Sequence, residues 1–73
     1  MDNFYINIGK RIKRLRTVEG LSREKFGDLV GISAKFLYSL EAGKKGMSAR
    51  TLYNIAQALS VSTDFLIQGE SDD

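Results

Sequence analysis

The sequence predicts an all-α, compact five-helix domain, and three observations carry that prediction. First, an apolar residue, a serine, three further residues and a second apolar residue recur at Leu21-Ser22 with Phe26, Ile32-Ser33 with Leu37, Met47-Ser48 with Leu52, and Val61-Ser62 with Leu66. Each serine hydroxyl is placed to accept a hydrogen bond from an otherwise unpaired N–H of a first helical turn, and each apolar pair to close as a hydrophobic staple. Second, Gly20, Gly31 and Gly43 each follow a periodic apolar segment, where a residue in the left-handed region ends a helix. Third, between these starts and stops the apolar residues return every three or four positions, the period of one buried helical face.

Taken in order, the first helix is expected over residues 4 to 18, with Ile8, Ile12 and Leu15 turned inward. The second follows Ser22, runs from 23 to 30 and buries Phe26, Leu29 and Val30. Gly27 lies on its inner side, where a missing side chain lets the third helix cross closely above it. The third helix, 34 to 42, contributes Phe36, Leu37 and Leu40; the fourth, 49 to 59, contributes Leu52, Ile55, Ala56 and Leu59; a short fifth runs from 63 to 67. Phe4 and Tyr5 are placed to fold over the first helix, and Tyr53 on the outer side of the fourth. Together with Val61, Phe65 and Ile67, such aromatics serve either packing or a dimer contact. From Glu70 onward the chain is acidic and without apolar content, so the expected organisation is one domain over 1–69 and a disordered acidic tail over 70–73.

A chain of 73 residues encloses only a modest core, which leaves little room for a deep cleft or for a separate small-molecule effector domain. It contains neither cysteine nor histidine, so thiolate metal sites, the commonest zinc ligand and the usual general base are all missing. No metal, no cofactor and no enzymatic activity are therefore expected. The "SREK" stretch fits a Ser-x-x-Lys pattern, but its serine serves better as a helix cap; "GKKG" lacks the remaining glycine and serine or threonine of a phosphate loop. Nothing resembles a signal peptide or a membrane span, which points to a cytoplasmic protein with no membrane partner. The net charge is only +2, yet every lysine and arginine precedes position 51, and beyond it stand only acids. Such a polarised molecule suits a polyanionic partner better than the net figure suggests.

The third helix sharpens this expectation. At about 100° per residue its apolar side carries Phe36, Leu37, Leu40 and Glu41, while Ala34, Lys35, Tyr38, Ser39 and Ala42 occupy the opposite arc. Small residues permit close approach, lysine donates to guanine or phosphate, serine bonds several bases, and tyrosine reaches phosphate. That arc fits a major groove. A short helix, Gly31 and a new helix starting at Ser33 also have the spacing of a helix-turn-helix.

The motifs "IGKRIKRLR", "GLSREKFGDLVGIS", "SLEAGKK" and "LYNIAQALSVSTDFLIQG" closely resemble the Cro/C1-type (Xre family) helix-turn-helix DNA-binding domain, over nearly the whole chain from Ile8 to Gly69. The resemblance implies a lambda-repressor-like five-helix fold and a transcriptional regulator, usually a homodimeric repressor, bound to double-stranded operator DNA. Carried over by position, it implies base contacts by Ser33, Ala34, Lys35, Tyr38 and Ser39, and phosphate contacts by Arg23, Lys44, Lys45 and Arg50. Arg23 stands where the family often has Gln, and Ala34 where a base-reading Gln or Asn is usual, so readout shifts toward Lys35, Tyr38 and DNA shape. The resemblance further implies a structural ion pair between Arg16 and Glu41, a sound arrangement for a carboxylate on the apolar side of its helix. Lys10, Lys13 and Arg14 share a face of the first helix that is either phosphate-binding or merely solvated. A rival expectation is a protein-interaction module of the same fold, such as an antitoxin-like partner of another protein.

Overall fold

The computed structural model describes residues 3–70, so the stretch beyond Glu70 that was expected to form a disordered tail lies outside the described residues. Five α-helices and no strand are found among the described residues: α1 (Phe4–Val18), α2 (Arg23–Val30), α3 (Ala34–Glu41), α4 (Ala49–Leu59) and α5 (Thr63–Gln68). The boundaries depart from expectation only at two C-termini, where Ala42 caps α3 instead of extending it and α5 reaches Gln68. No helix is long and apolar enough to cross a membrane among the described residues.

Every serine singled out by the repeated pattern performs its capping role. Ser22, Ser33, Ser48 and Ser62 accept from the backbone N–H groups of Lys25, Phe36, Thr51 and Phe65, at 3.1, 3.0, 3.1 and 3.0 Å. The preceding apolar residues Leu21, Ile32, Met47 and Val61 pack against the core as staples. Between α2 and α3, Gly31 takes φ +82°, a conformation that an L side chain would strain, and this sharp reversal sets the angle of the helix-turn-helix.

The core is filled from all five helices: Ile8 and Ile12 of α1, Phe26 of α2, Leu37 and Leu40 of α3, Ile55 of α4 and Leu66 of α5 are essentially inaccessible to solvent. Helix α1 packs on α3 and α5, and α2 on α3 and α4, so the helix-turn-helix lies against a scaffold made by the other three. Leu29, expected inside, is instead 65% exposed. The inner face of α2 is centred on Phe26, Gly27 and Val30, which turns Leu29 outward; the glycine at the centre of that face carries no apolar signal.

Close approach at Gly27 involves a different neighbour from the one expected. A Cβ there would run into the carbonyl of Ile32, in the turn that launches α3, and not into the body of α3. Gly9 plays the corresponding part on α1, where a Cβ would collide with the carbonyls of Leu40 and Glu41. Backbone therefore meets backbone at both ends of the recognition segment, and at Gly9 the end of α3 is seated directly on the backbone of α1. On the far side of α1, Arg11 Nη1 donates to the carbonyls of Leu66 and Ile67 at 2.9 and 3.0 Å, tying α1 to the last turn of α5.

Candidate nucleic-acid interface

Helix α3 presents the arc expected of it. Leu37, Leu40 and Glu41 are buried, Lys35 and Ala42 are exposed, Tyr38 is 49% exposed, and Ala34 and Ser39 are half-buried at the edges. Ser33 precedes the helix with its hydroxyl oxygen engaged by Phe36 N–H, which leaves the hydroxyl proton to donate. Ser39 spends its proton on the carbonyl of Lys35 at 3.3 Å, leaving oxygen lone pairs facing out.

The cations expected to touch phosphates divide into two sets. Lys44 and Lys45 stand exposed in the loop after α3, and Arg50 is exposed in the first turn of α4. Arg23, the first residue of α2, is half-buried: its Nε donates to Glu41 Oε1 at 3.0 Å, and its guanidinium lies 5.1 Å from the centre of the Tyr38 ring. Lys44 Nζ approaches the same ring at 5.7 Å. Arg23, Tyr38 and Lys44 are thus drawn into one cluster from α2, α3 and the following loop.

Beneath that cluster lies a buried ionic seam. Arg16 donates from Nε to Glu41 Oε2 at 2.6 Å and from Nη2 to Oε1 at 3.0 Å, while its Nη1 donates to the carbonyl of Leu21 at 2.7 Å. The Glu41 side chain is 1% exposed, and with Arg23 it accepts three N–H groups in all. Donation to the Glu41 carboxylate raises the pKa of the Arg16 guanidinium above arginine's ordinary value, against the lowering effect of burial; the charges of Glu41 and Glu24 add to the rise. The pair locks the end of α3 to α1 and to the start of α2.

Lys10, Lys13 and Arg14, read as one face of α1, are parted by the fold. Lys13 joins Arg23, Tyr38, Glu41 and Ala42 around a cleft of about 160 Å³ beside α3. Lys10 and Arg14 instead line an open hollow of about 470 Å³ with Arg11 and the end of α5. Periodicity groups these three residues on one arc but does not say that two different neighbours flank it. Gly9 and Arg11 were not picked out from the sequence at all. A helical glycine between Ile8 and Ile12 does signal a close approach, whereas nothing local to Arg11 points to carbonyls some 55 residues away.

Comparison with known proteins places this geometry. Residues 9–72 match a family model described as a helix-turn-helix domain. The prophage-derived HTH-type transcriptional regulator YonR of Bacillus subtilis is 38% identical over 61 residues, covering 84% of this chain and 56% of that protein. The chain therefore spans little more than half the length of that relative. The HTH-type transcriptional regulator y4dJ of Sinorhizobium fredii is 42% identical over 55 residues, covering 75% of this chain and 71% of that protein. Among solved structures, the P22 c2 repressor in complex with a synthetic operator superposes with a TM-score of 0.83 at 25% identity, covering 86% of this chain and 96% of that one.

Proposed function

The chain belongs to the helix-turn-helix domain family, and on that premise we propose that it is a sequence-specific DNA-binding transcriptional regulator, acting as a repressor by occupying an operator. Helix α3 enters the major groove, with Ser33, Ala34, Lys35, Tyr38 and Ser39 facing the bases. Lys35 and the Tyr38 hydroxyl supply most of the polar readout, and Ala34 offers a methyl contact. Arg23, Lys44, Lys45 and Arg50 meet the phosphate backbone and set register. The protein works by binding, without catalysis, in the cytoplasm. It acts as a homodimer on a near-palindromic site whose half-sites lie about 34 Å apart, one turn of DNA.

One observation carries the reading. The exposed arc of a helix locked to α1 and α2 by buried contacts bears Lys35 and Tyr38 instead of solubilising Glu–Lys pairs, and Lys44 lies against the same arc. A deeply seated helix holds its contact side chains in register with a rigid groove, the geometry that base readout requires.

Selection of bound duplexes from a random pool, followed by titration of the selected site at several salt concentrations, tests the proposal. Enrichment of a near-palindrome, with affinity falling steeply as salt rises, is the expected result. Failure to enrich any sequence, together with binding indifferent to salt, would remove DNA readout from the protein's repertoire.

A further inference from the structure

The cluster of Arg23, Tyr38 and Lys44 contains two like charges and one ring, a combination that needs a reason. Side by side in solution, a guanidinium and an ammonium repel. Here they lie 5.1 and 5.7 Å from the centre of one ring, both within the reach of cation–π attraction. Glu41 does not neutralise the cluster on its own, because both of its oxygens also accept from Arg16 and its single charge is shared. Arg23 spends Nε on Glu41, and no other hydrogen bond from its guanidinium is found among the described residues. Its terminal N–H donors and the ammonium of Lys44 are therefore available to an acceptor. The adjoining cleft of about 160 Å³ adds Lys13 to the lining, along with Ala42 and the already triply bonded Glu41.

We propose that the ring of Tyr38 is a positioning element: it holds Arg23 and Lys44 together as a preformed seat for one DNA backbone phosphate. This is a role separate from any base contact by the Tyr38 hydroxyl. The proposal rests on the DNA-binding reading above and deepens it, since it names the group that organises the backbone contact. A ring face offsets repulsion between cations without using up their N–H donors, which a second carboxylate would do. Two cations fixed before encounter also lose less side-chain entropy when a phosphate arrives. Lys13, across the cleft, supplies a third positive charge from α1.

The ring and the hydroxyl can be separated by substitution. Tyr38 is about half exposed, so variants there leave the core intact. Tyr38→Phe keeps the ring, Tyr38→Leu keeps apolar bulk without a π face, and Tyr38→Ala removes both. On a random-sequence duplex, Tyr38→Phe should keep the parent's salt slope and bind more tightly than Tyr38→Leu, any loss being that of the hydroxyl alone. Tyr38→Leu and Tyr38→Ala should each lose about two- to fivefold, the scale of an exposed cation–π contact. Their salt slopes should fall by up to about one unit, and adding Lys44→Ala should cost less than the product of the single losses. Independently of DNA, the side-chain methylene protons of Arg23 and Lys44 should show ring-current shifts in the parent and in Tyr38→Phe but not in Tyr38→Leu. Equal binding of Tyr38→Phe and Tyr38→Leu to random duplex, or absence of those shifts from the parent, overturns the proposal. A parent protein that binds no duplex overturns the DNA-binding reading itself, and is recognised before any variant is made.

Discussion

Glu41 sits between two regions that treat charge in opposite ways. Toward α1 it meets Arg16 in a seam where every polar group is engaged and the arginine is only 8% exposed. Toward solvent it meets Arg23, whose side chain is 31% exposed and which carries on to the Tyr38 ring with donors to spare. One helix of eight residues therefore has an edge where each buried polar side-chain atom has a partner and an edge where donors are left over. The first kind of edge fixes where the helix sits, and the second is what a partner can use. A small domain with no cysteine to staple it must hold its third helix by packing and ion pairing, so the buried ionic lock and the cationic surface beside it are complementary parts of one arrangement.

The largest expected effect breaks the seam. Glu41→Ala leaves Arg16 facing an apolar interface with only the Leu21 carbonyl as acceptor, and removing one partner of a buried pair costs about 3–5 kcal/mol. Urea unfolding should show the loss as a lower midpoint at an unchanged slope. Replacing both partners, Arg16→Met with Glu41→Leu, should cost far less than either single change, because an apolar pair leaves no stranded charge. The raised value of Arg16 also fixes the sign of any pH effect. A group elevated in the folded state contributes fully below its unfolded value, and its contribution fades only as pH climbs through the folded one. The Arg16–Glu41 coupling energy should thus show no decline due to Arg16 titration between neutral and moderately alkaline solution; such a decline would mean that the guanidinium is not held as the geometry indicates.

On the outward edge the effects should appear in binding and leave stability alone. Lys35→Ala should cost about 1–3 kcal/mol on the selected operator, little on random duplex, and nothing measurable in urea unfolding. Equal losses on both duplexes would make Lys35 a backbone contact and blur the division between readout and anchoring.

How far this division could be read from sequence depends on the range of the interactions involved. The serine caps are local, each within three residues of the N–H it accepts, and the repeated pattern located all four, together with helix boundaries good to a residue or two. The outward arc of α3 was equally legible, since helical period alone separates Tyr38 from Leu37 and Leu40. Leu29 was misplaced because a short helix whose inner face is centred on glycine has an ambiguous apolar centre. Arg11, and the sharing of Glu41 between Arg16 and Arg23, were invisible to pattern: their partners are 55 and 56 residues away for Arg11, and 25 and 18 for the two arginines on Glu41. The position-by-position resemblance supplied Arg16 and Glu41 as a pair, but only coordinates place Arg23 on the same carboxylate.

A smaller effect sharpens the comparison through two caps of matching geometry. Ser33 and Ser62 each accept from the third helical N–H at 3.0 Å, so replacing either by alanine should lower stability by about 1 kcal/mol. Only Ser33→Ala should also weaken operator binding, because the proposed docking puts Ser33 at the groove end of α3, whereas Ser62 starts α5. Parallel losses in unfolding midpoint with divergent DNA titrations would separate the capping role from the contact role at one residue.

The smallest expected change in stability comes from Arg23→Gln, which tests the outward edge where it touches the seam. The ion pair it removes is partly solvated, and exposed pairs contribute about 0–1 kcal/mol. Glu41 keeps both hydrogen bonds from Arg16, so no buried carboxylate is stranded. Glutamine retains a donor but loses the charge, and the DNA titration should lose about 0.9 of a unit in salt slope for the one phosphate contact. If urea unfolding instead revealed a loss as large as that of Glu41→Ala, Arg23 would belong to the lock and not to the surface. The boundary between the two regions would then run along the Tyr38 ring, one side chain further out.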